Sequence, residues 1–374
     1  MLANMKRLIA SFFLLFLLGP ASAEAQRRLV LIDQDGSGPA DSNTMSMMVL
    51  LQSPQVDVLG ITMVTGNAWR DEEVKHTLRM LELIGRTDVP VVPGAVFPLV
   101  RTEEETRLQM PLIGRPYWIG AWGRQTTDLA TPAGLVQAKI STHGPWEIPA
   151  LPEGLPLIKP LAEDAPHFLI RQVRAHPGQV TLYAAGPLTN IALAVAIDPQ
   201  FAELTKGIVI MGSSINPQTD DAEFATSPRH EFNFWFDPEA ARKVLRANWP
   251  RIDVTTVDVS IKAMFTQQMF DAISRSSSPA AQYIAQFARE RYYLWDELAA
   301  CAWLDPNIIT RTREVYMDVD LSHGPSYGHT LTWAEKLKPA TDVRLVHAQL
   351  DLDFPKFRKM FLDLMTAPPV RTPR

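Results

Sequence analysis

Three aspartates on one short glycine-rich segment are the residues of this chain best suited to chemistry. Asp33, Asp35 and Asp41 lie between two apolar stretches, residues 29–32 and 44–51. The first stretch predicts a short buried strand and the second predicts a helix. An unpaired buried carboxylate is very costly, so carboxylates at this position require either water or a cation. Oxygen ligands clustered on a flexible loop suit Ca²⁺ or Mg²⁺ better than zinc.

The same segment allows a second interpretation, in which the loop is solvated and its aspartates cap the helix that follows. The helix is expected to begin on a Ser or Asn cap, which the chain offers at Ser42 and Asn43. The two interpretations differ in whether the carboxylates hold a cation or the first N–H groups of the helix.

Apolar, β-branched runs alternate with stretches of helical periodicity along the rest of the chain. The runs lie at 56–64, 89–93, 179–184, 207–211 and 252–257, and the helical stretches at 71–84, 164–173, 188–197 and 237–245. This alternation predicts an α/β fold with an open, mostly parallel, Rossmann-like sheet and helices on both faces. In such sheets ligands bind beyond the carboxyl ends of the strands.

Short segments of glycine and small polar residues follow several of the predicted strands. They are Thr65-Gly66-Asn67, Ala185-Gly186-Pro187 and Gly212-Ser213-Ser214. Because the carboxyl ends of parallel strands share one edge of a sheet, we expect these segments to join the aspartate loop there. The sequence therefore predicts a ligand site at this edge.

The first 25 residues have the pattern of a signal peptide. Lys6 and Arg7 precede the apolar core 8–18, and small residues offer a cleavage site at Ala21 to Ala23. An uncleaved anchor is the alternative. We expect a periplasmic or secreted protein that has no membrane attachment after cleavage. The single cysteine, Cys301, excludes an intramolecular disulfide.

The remaining chain, residues 26–374, is expected to form one α/β domain. A net charge of −5 without a basic run makes nucleic acid a poor partner. Residues 97–163 are rich in proline and glycine and predict a long insertion, in which residues 101–107 form a solvated face and 142–145 approach the site. An insertion of this length is functional or mobile, or it packs its tryptophans on the domain.

Taken together, these segments resemble the nucleoside hydrolases of the inosine-uridine preferring type. The motifs that carry the resemblance, in order from about residue 28 onward, are Asp33-Gln34-Asp35 with Asp41, then 60–67, 185–192, 208–212, 231–241 and Trp295-Asp296. The resemblance implies a nucleoside hydrolase-like fold and a small-molecule nucleoside substrate. It also implies a homo-oligomer, either a dimer or a tetramer, as an alternative to the monomer.

The resemblance further implies a Ca²⁺ ion at the bottom of the pocket that binds the ribose diol and a water molecule. By position, Asp35 matches the residue that both binds the metal and takes the proton from that water, and Asp33 supports it. The metal ligands would be Asp35, Asp41, the backbone carbonyl of Ala185, and Asp296. The substrate-binding positions would be Asn67, Met211, Asn216, Glu231, Asn233 and Trp295.

Two positions depart from the pattern of the family. The last acidic metal ligand of the family aligns with Asn43, so either Asp41 or Asn43 would complete the metal site. The histidine that protonates the leaving base in many members is replaced by Trp295, beside Tyr292 and Tyr293. These aromatic residues either stack on the base, which favours a purine, or fill the core.

The expected function is therefore hydrolysis of the N-ribosidic bond of nucleosides to free base and ribose, as in purine metabolism. A water molecule bound to Ca²⁺ and deprotonated by Asp35 would attack the ribosyl cation. A non-catalytic periplasmic protein that binds nucleosides or other ribosyl compounds is the first alternative. A hydrolase of another furanoside is the second.

Overall fold

The computed structural model describes residues 27–114, 116–123, 143–289 and 292–370. The predicted signal peptide lies outside these residues, and so do residues 124–142 of the predicted insertion, including Thr142. Among the helices that the structure describes, none is both long and apolar enough to cross a membrane.

A single sheet of nine strands organises the part of the chain that the structure describes. Its strands are β1 Arg28–Gln34, β2 Val56–Met63, β3 Val91–Pro93, β4 Val180–Ala185, β5 Gly207–Met211, β6 Ile252–Thr255, β7 Ile309–Val319, β8 Thr330–Trp333 and β9 Arg344–Leu352. They are ordered β3-β2-β1-β4-β5-β6-β9-β7-β8. Neighbouring strands in the part β3-β2-β1-β4-β5-β6-β9 of this order are parallel, and β7 pairs antiparallel with both β9 and β8.

Helices cover both faces of this sheet, as predicted. They are α1 Ser42–Leu51, α2 Arg70–Ile84, α3 Glu103–Ile113, α4 Ala165–Ala175, α5 Thr189–Ile197, α6 Ala222–Ala225, α7 Phe232–Phe236, α8 Pro238–Arg246, α9 Val257–Ser260, α10 Gln267–Ser274, α11 Pro279–Phe287, α12 Trp295–Leu304 and α13 Phe354–Thr366. The open, mostly parallel α/β fold is therefore confirmed.

The central position of β1 explains its uninterrupted apolar sequence. Val30 and Ile32 belong to the core under α1, α2 and α12, whereas Leu31 belongs to the opposite core under α4, α5 and α8. A strand that is buried on both faces needs apolar side chains in both directions. Its polar continuation, Gln34 and Asp35, is also buried, so the chain places polar groups at the sheet edge without exposing them to solvent.

The start of α1 differs from the expectation. Its N-cap is Asp41, whose Oδ1 accepts a hydrogen bond of 2.7 Å from the backbone N–H of Thr44. Asp41 Oδ2 accepts from the N–H of Ser37 at 2.8 Å and from its hydroxyl at 3.1 Å. The prediction of a Ser42 or Asn43 cap was wrong because the carboxylate of Asp41, directly before Ser42, satisfies the helix and the preceding loop together.

The described residues of the predicted insertion include the helix α3 and a buried arginine just before it. Arg101 is only 4 % exposed, and its guanidinium carbon lies 4.5 Å from the ring centre of Trp235 and 4.2 Å from that of Tyr327. The prediction of a solvated face is therefore wrong at Arg101, although Arg107 is exposed. Arginine stacks readily between aromatic rings, so it anchors this part of the chain to the domain.

Candidate active site

A pocket opens where the carboxyl ends of the central strands meet. One end of it is polar and is lined by Asp41, Asn43, Asn67, Glu231, Asn233 and Asp296. The other end is aromatic and is lined by Tyr117, Trp118, Phe224, Phe232, Tyr292 and Trp295. The residues that sequence analysis assigned to separate motifs therefore lie around one cavity, divided into a region of hydrogen-bonding groups and a region of flat rings.

Asp35 lies fully buried beneath the polar end of this pocket. Its Oδ1 accepts a hydrogen bond of 2.7 Å from the side-chain amide of Asn43, and its Oδ2 accepts one of 3.0 Å from the backbone N–H of Asn67. Two glycines hold it from the sides, since a Cβ added at Gly66 would lie 2.1 Å from Oδ2 and one at Gly186 would lie 3.0 Å from Cγ. The backbone thus fixes the position of this carboxylate.

We predict that Gly66→Ala displaces Asp35 and destabilises the fold. The added methyl group would overlap the carboxylate, and overpacking of a rigid site typically costs about 1–3 kcal/mol. Urea unfolding measures the loss of stability. Gly38→Ala is the matched control, because a Cβ at Gly38 has no neighbour within 4 Å. Equal stability of the two variants would show that the loop around Asp35 yields easily.

Negative charge accumulates around Asp35 without a cationic side chain in the described lining. Burial raises the pKa of Asp35 well above its usual range, and the charge of Asp296 raises it further. Burial likewise raises the pKa of Asp296 to about 8. Of the described residues that line the pocket, none is Lys, Arg or His. Carboxylates in this arrangement need protons or a bound cation.

Two side-chain amides connect the carboxylates. Gln34 accepts the N–H of Asp35 at its Oε1 (2.9 Å), and its Nε2 donates to Asp296 Oδ2 (3.0 Å). Asn43 Nδ2 donates to Gln34 Oε1 at 2.8 Å and to the carbonyl oxygen of Ala185 at 3.3 Å. Asp35, Ala185 and Asp296 therefore lie close together, with the amides of Gln34 and Asn43 between them.

The donor types in this cluster fit a hard divalent cation. Two carboxylates and a backbone carbonyl supply oxygen atoms, which Ca²⁺ prefers. The amide of Asn43 would add its oxygen after turning over, since its Nδ2 now faces Asp35 and Ala185. The surplus negative charge favours a cation at this point, whereas Asp41 has one oxygen engaged in capping α1 and the other with Ser37. No group of three or more His, Cys, Asp or Glu side chains in the described ranges is arranged to hold a metal, so carbonyl and amide oxygens must complete the set.

Asp33 supports the site from behind the sheet edge. Its Oδ1 accepts hydrogen bonds from the hydroxyl of Thr62 and from the amide of Asn190, the latter at 2.8 Å. Burial raises the pKa of Asp33 to about 7. Asn190 also accepts the N–H of Ala95 at 2.8 Å, so Asp33 joins β1 to the loop after β3 and does not line the pocket.

The predicted sugar-binding residues form a second hydrogen-bonded group at the polar end. Glu231 accepts the N–H groups of Ser213 at 3.1 Å, Asn233 at 2.8 Å and Phe234 at 3.0 Å, and thereby caps α7. Asn233 Nδ2 donates to the carbonyl of Met211 at 3.1 Å. Burial raises the pKa of Glu231 to about 7. Glu231 thus caps a helix and lines the pocket at once.

Asn67 connects the polar end of the pocket to the predicted insertion. Its Oδ1 accepts a hydrogen bond of 2.7 Å from the indole N–H of Trp118, and its Nδ2 donates to Asn43 Oδ1 at 3.2 Å. His143, in the segment expected to approach the site, instead contacts Trp69 and Glu72 around the start of α2. The part of the insertion that reaches the pocket is therefore the stretch around Trp118.

One predicted residue lies elsewhere. Asn216 is exposed, donates its backbone N–H to Asp258 Oδ1 at 2.9 Å, and is not among the described residues that line the pocket. The loop after β5 turns at Ser213, whose φ of +72° is uncommon for a residue other than glycine. This turn directs the following residues away from the cavity.

The aromatic end surrounds Trp295, the first residue of α12. The ring centres of Phe224 and Tyr292 lie 5.5 and 5.9 Å from that of Trp295, and that of Tyr293 lies 4.9 Å away. Two residues of the site were not predicted from the sequence. Gln34 links the carboxylates of the site, and Glu223, which lies on α6, lines the pocket. A glutamine between two aspartates in a buried strand could have indicated the first, whereas no periodicity marked the second.

Comparison with known proteins agrees with this geometry. Residues 30–359 match the family described as inosine-uridine preferring nucleoside hydrolase. A protein of Arabidopsis thaliana named probable uridine nucleosidase 2 is 28% identical over 91% of this chain and 98% of its own length. The pyrimidine-specific ribonucleoside hydrolase RihA of Citrobacter koseri is 29% identical over 69% of each chain.

Solved structures share the fold. A plant nucleoside hydrolase superposes with a TM-score of 0.69 at 24% identity, covering 91% of this chain and 99% of its own. A purine-preferring ribonucleoside hydrolase from Gardnerella vaginalis superposes with a TM-score of 0.68 at 22% identity, over 91% and 98%. With a family match that spans most of its length, the chain belongs to the inosine-uridine preferring nucleoside hydrolases, a family of metal-dependent enzymes that cleave the N-ribosidic bond.

Proposed function

We propose that this protein hydrolyses ribonucleosides to free base and ribose with a water molecule that Asp35 deprotonates. The observation that carries the proposal is the position of Asp35, which is fully buried beneath the polar end of the pocket and held there by Asn43 and Asn67. A base in general acid–base catalysis must be fixed within reach of the reacting water, and these contacts supply that fixation.

The polar end would bind the ribose. Asn67, Glu231 and Asn233 offer donors and acceptors to the sugar hydroxyls, and Met211 packs beside them. Cleavage passes through a ribosyl cation with oxocarbenium character, and the carboxylates around the sugar stabilise that positive charge. Asn216 has no part in this proposal because it lies outside the lining of the pocket.

We propose Ca²⁺ as the metal, held by the carboxylates of Asp35 and Asp296, the carbonyl of Ala185 and the amide oxygen of Asn43. The support is the all-oxygen donor set and its unbalanced negative charge. When bound, such an ion makes its water more acidic and orients it. Asp41 remains the alternative ligand, but it would have to leave the cap of α1.

The aromatic end would receive the base. Flat rings such as those of Trp295 and Tyr292 can stack on either a purine or a pyrimidine. Sequence analysis favoured a purine on this ground, whereas the two relatives above are named for uridine and for pyrimidine ribonucleosides. We therefore propose uridine as the first substrate to test and inosine as its purine counterpart.

The first experiment measures ribose released by residues 26–374 from a panel of purine and pyrimidine ribonucleosides, with and without EDTA. We expect release that EDTA abolishes and that added Ca²⁺ restores, because Asp35 and Asp296 would otherwise face each other without a counter-charge. Release that resists EDTA would contradict the metal assignment. Failure to release ribose from any nucleoside, in the presence of Ca²⁺, would contradict the proposed activity.

One observation favours a second candidate function. Asn43, at the position where the family has an acidic ligand, donates hydrogen bonds to Asp35 and to the carbonyl of Ala185. This arrangement suits a protein that binds ribosyl compounds without turnover. Calorimetric titration with uridine and inosine distinguishes the two functions. Saturable binding without ribose release would establish the binding protein.

We also propose that the protein is exported to the periplasm or secreted, and that it forms a dimer or tetramer. The support for export is the charged, apolar and small-residue order within residues 1–25, and the support for an oligomer is the family resemblance. N-terminal sequencing of the protein expressed with residues 1–25, and light scattering of the mature protein, test the two points.

A further inference from the structure

We propose that Glu223 is the acid that protonates the leaving base, a role that rests on the proposed hydrolysis of nucleosides. The position before Asp296, where many family members carry a histidine, is occupied by Trp295 and cannot supply this proton. Glu223 lines the pocket beside the aromatic residues Phe224 and Tyr292, and it accepts a hydrogen bond from the latter.

Two tyrosine–carboxylate contacts fix the position of Glu223. Asp221 caps α6 by accepting the N–H of Glu223 at 3.1 Å, and it also accepts the hydroxyl of Tyr293 at 3.0 Å. The hydroxyl of Tyr292 donates to Glu223 Oε2 at 3.1 Å. The short helix α6 is thereby joined to the segment before α12, and Glu223 is held at the pocket wall by a partner on that segment.

The surroundings of Glu223 favour its protonated form at neutral pH. Burial raises its pKa to about 8, the charges of Asp221 and Glu231 raise it as well, and the hydrogen bond from Tyr292 lowers it. Apolar neighbours and nearby negative charge raise the pKa of the carboxylic acids that donate protons in glycoside hydrolysis in the same way. Asp35, by contrast, must act in its ionised form.

The other proton donors at the aromatic end are weaker candidates. The indole N–H of Trp118 is engaged with Asn67, and the hydroxyl of Tyr292 is engaged with Glu223 itself. Burial raises the pKa of the Tyr292 hydroxyl well above its usual range, which makes it a poor acid. The hydroxyl of Tyr117 also lines this end, but a phenol is a weaker acid than a carboxyl group. Of the described lining residues at this end, Glu223 therefore combines position and acidity best.

The reaction then balances with two carboxyl groups. The bond between C1′ and the base nitrogen breaks, its electron pair stays on the base, and the proton of Glu223 passes to an acceptor atom of that base. The oxygen of water forms a bond to C1′, and its proton passes to Asp35. Net transfer of one proton from Asp35 to Glu223 through solvent restores both groups, so the products are free base and ribose without a further reactant.

The test compares Glu223→Gln with the wild-type enzyme on two substrates. One is the nucleoside that the wild type cleaves fastest, and the other is 4-nitrophenyl β-D-ribofuranoside, whose nitrophenolate leaves without a proton. We expect kcat on the nucleoside to fall by about 10²–10⁴-fold, the usual contribution of general acid catalysis. We expect kcat on the nitrophenyl riboside to remain within about threefold of the wild type, since no acid is needed there.

The pH profile provides a second measurement that a purely structural residue would not affect. Because the protonated form is active, wild-type kcat on the nucleoside should fall as the pH rises through about 8. This fall should be absent on the nitrophenyl riboside. Tyr292→Phe removes the hydrogen bond that lowers the pKa of Glu223. The fall of kcat in this variant should therefore occur at a higher pH than in the wild type.

Each outcome of the comparison is informative. Glu203→Gln, at an exposed position, is the matched control and should behave as the wild type on both substrates. An equal loss on both substrates, or no loss on the nucleoside, would overturn the role of Glu223 while leaving the hydrolase intact. A wild-type protein that cleaves no nucleoside would overturn the proposed function and this role together.

Discussion

Asp35→Ala is expected to lower kcat for nucleoside hydrolysis by about a thousandfold or more. Removal of a general base costs typically 10²–10⁴-fold, and this carboxylate is also a proposed ligand of the cation. Turnover within about tenfold of the wild type, or about 1.4 kcal/mol of barrier, would remove Asp35 from the role of base. Steady-state kinetics at saturating nucleoside and Ca²⁺ provide the measurement.

The fold should tolerate the loss of Asp35. The residue lies one position beyond the end of β1, and burial together with the charge of Asp296 disfavours its ionised form. In EDTA, the isosteric Asp35→Asn variant should therefore melt at or above the wild-type temperature. A large drop in its melting temperature would show that the carboxylate contributes to stability, and the kinetic loss would then need a different explanation.

Asp33→Asn provides the contrast on the same strand. Asp33 accepts hydrogen bonds from Thr62 and Asn190 and does not line the pocket. An asparagine can still accept these bonds at one oxygen, so we expect a loss of activity smaller than that of Asp35→Ala. Equal losses at the two positions would indicate that the whole loop, and not one base, determines turnover.

The sequence predicts the sheet edge at which the pocket lies because each apolar run and the polar residues that follow it are local in the chain. The apolar run of β1 ends in carboxylates, and the runs of β2, β4 and β5 end in glycine and small polar residues. Parallel pairing then brings these ends together without further information. This rule accounts for the convergence of Asp35, Asn67 and Ala185.

The hydrogen bonds within the site were not predictable in the same way. Asp41 and Asn43 are two residues apart, at the end of a loop longer than the family pattern and in the first turn of α1, and from the sequence either could turn toward Asp35. The choice depends on competition between a helix cap and a ligand position, which only the folded backbone decides. Arg101 illustrates the same limit, since its burial depends on Trp235 and Tyr327, which are distant in sequence.

Glu223 was not predictable for a different reason. Residues 213–230 carry neither strand nor helix periodicity over a useful length, and α6 has only four residues. Its direction is set by contacts with Tyr292 and Tyr293 from a segment about 70 residues later. A proton donor on such a segment becomes visible only when the aromatic end of the pocket is assembled.

Asn43→Asp is expected to tighten Ca²⁺ binding by about a hundredfold, or roughly 2.7 kcal/mol. The substitution restores the charge that the family has at this position and removes the N–H groups that now point at Asp35 and at the carbonyl of Ala185. Isothermal titration with Ca²⁺ in the absence of nucleoside measures this change directly. Asn248→Asp, at an exposed position that contacts Arg344, is the matched control and should leave the affinity unchanged.

The same variant should couple its stability to calcium. Without the ion, a third carboxylate would lie beside Asp35 and Asp296, and the three hydrogen bonds that Asn43 Nδ2 donates would be lost. The melting temperature in EDTA should therefore fall below that of the wild type. Excess Ca²⁺ should raise it by more than it raises the wild type, because tighter binding to the folded state stabilises it further. An unchanged affinity would place the ion away from Asn43 and make Asp41 the ligand, since it is the other acidic or amide side chain of the loop able to face Asp35.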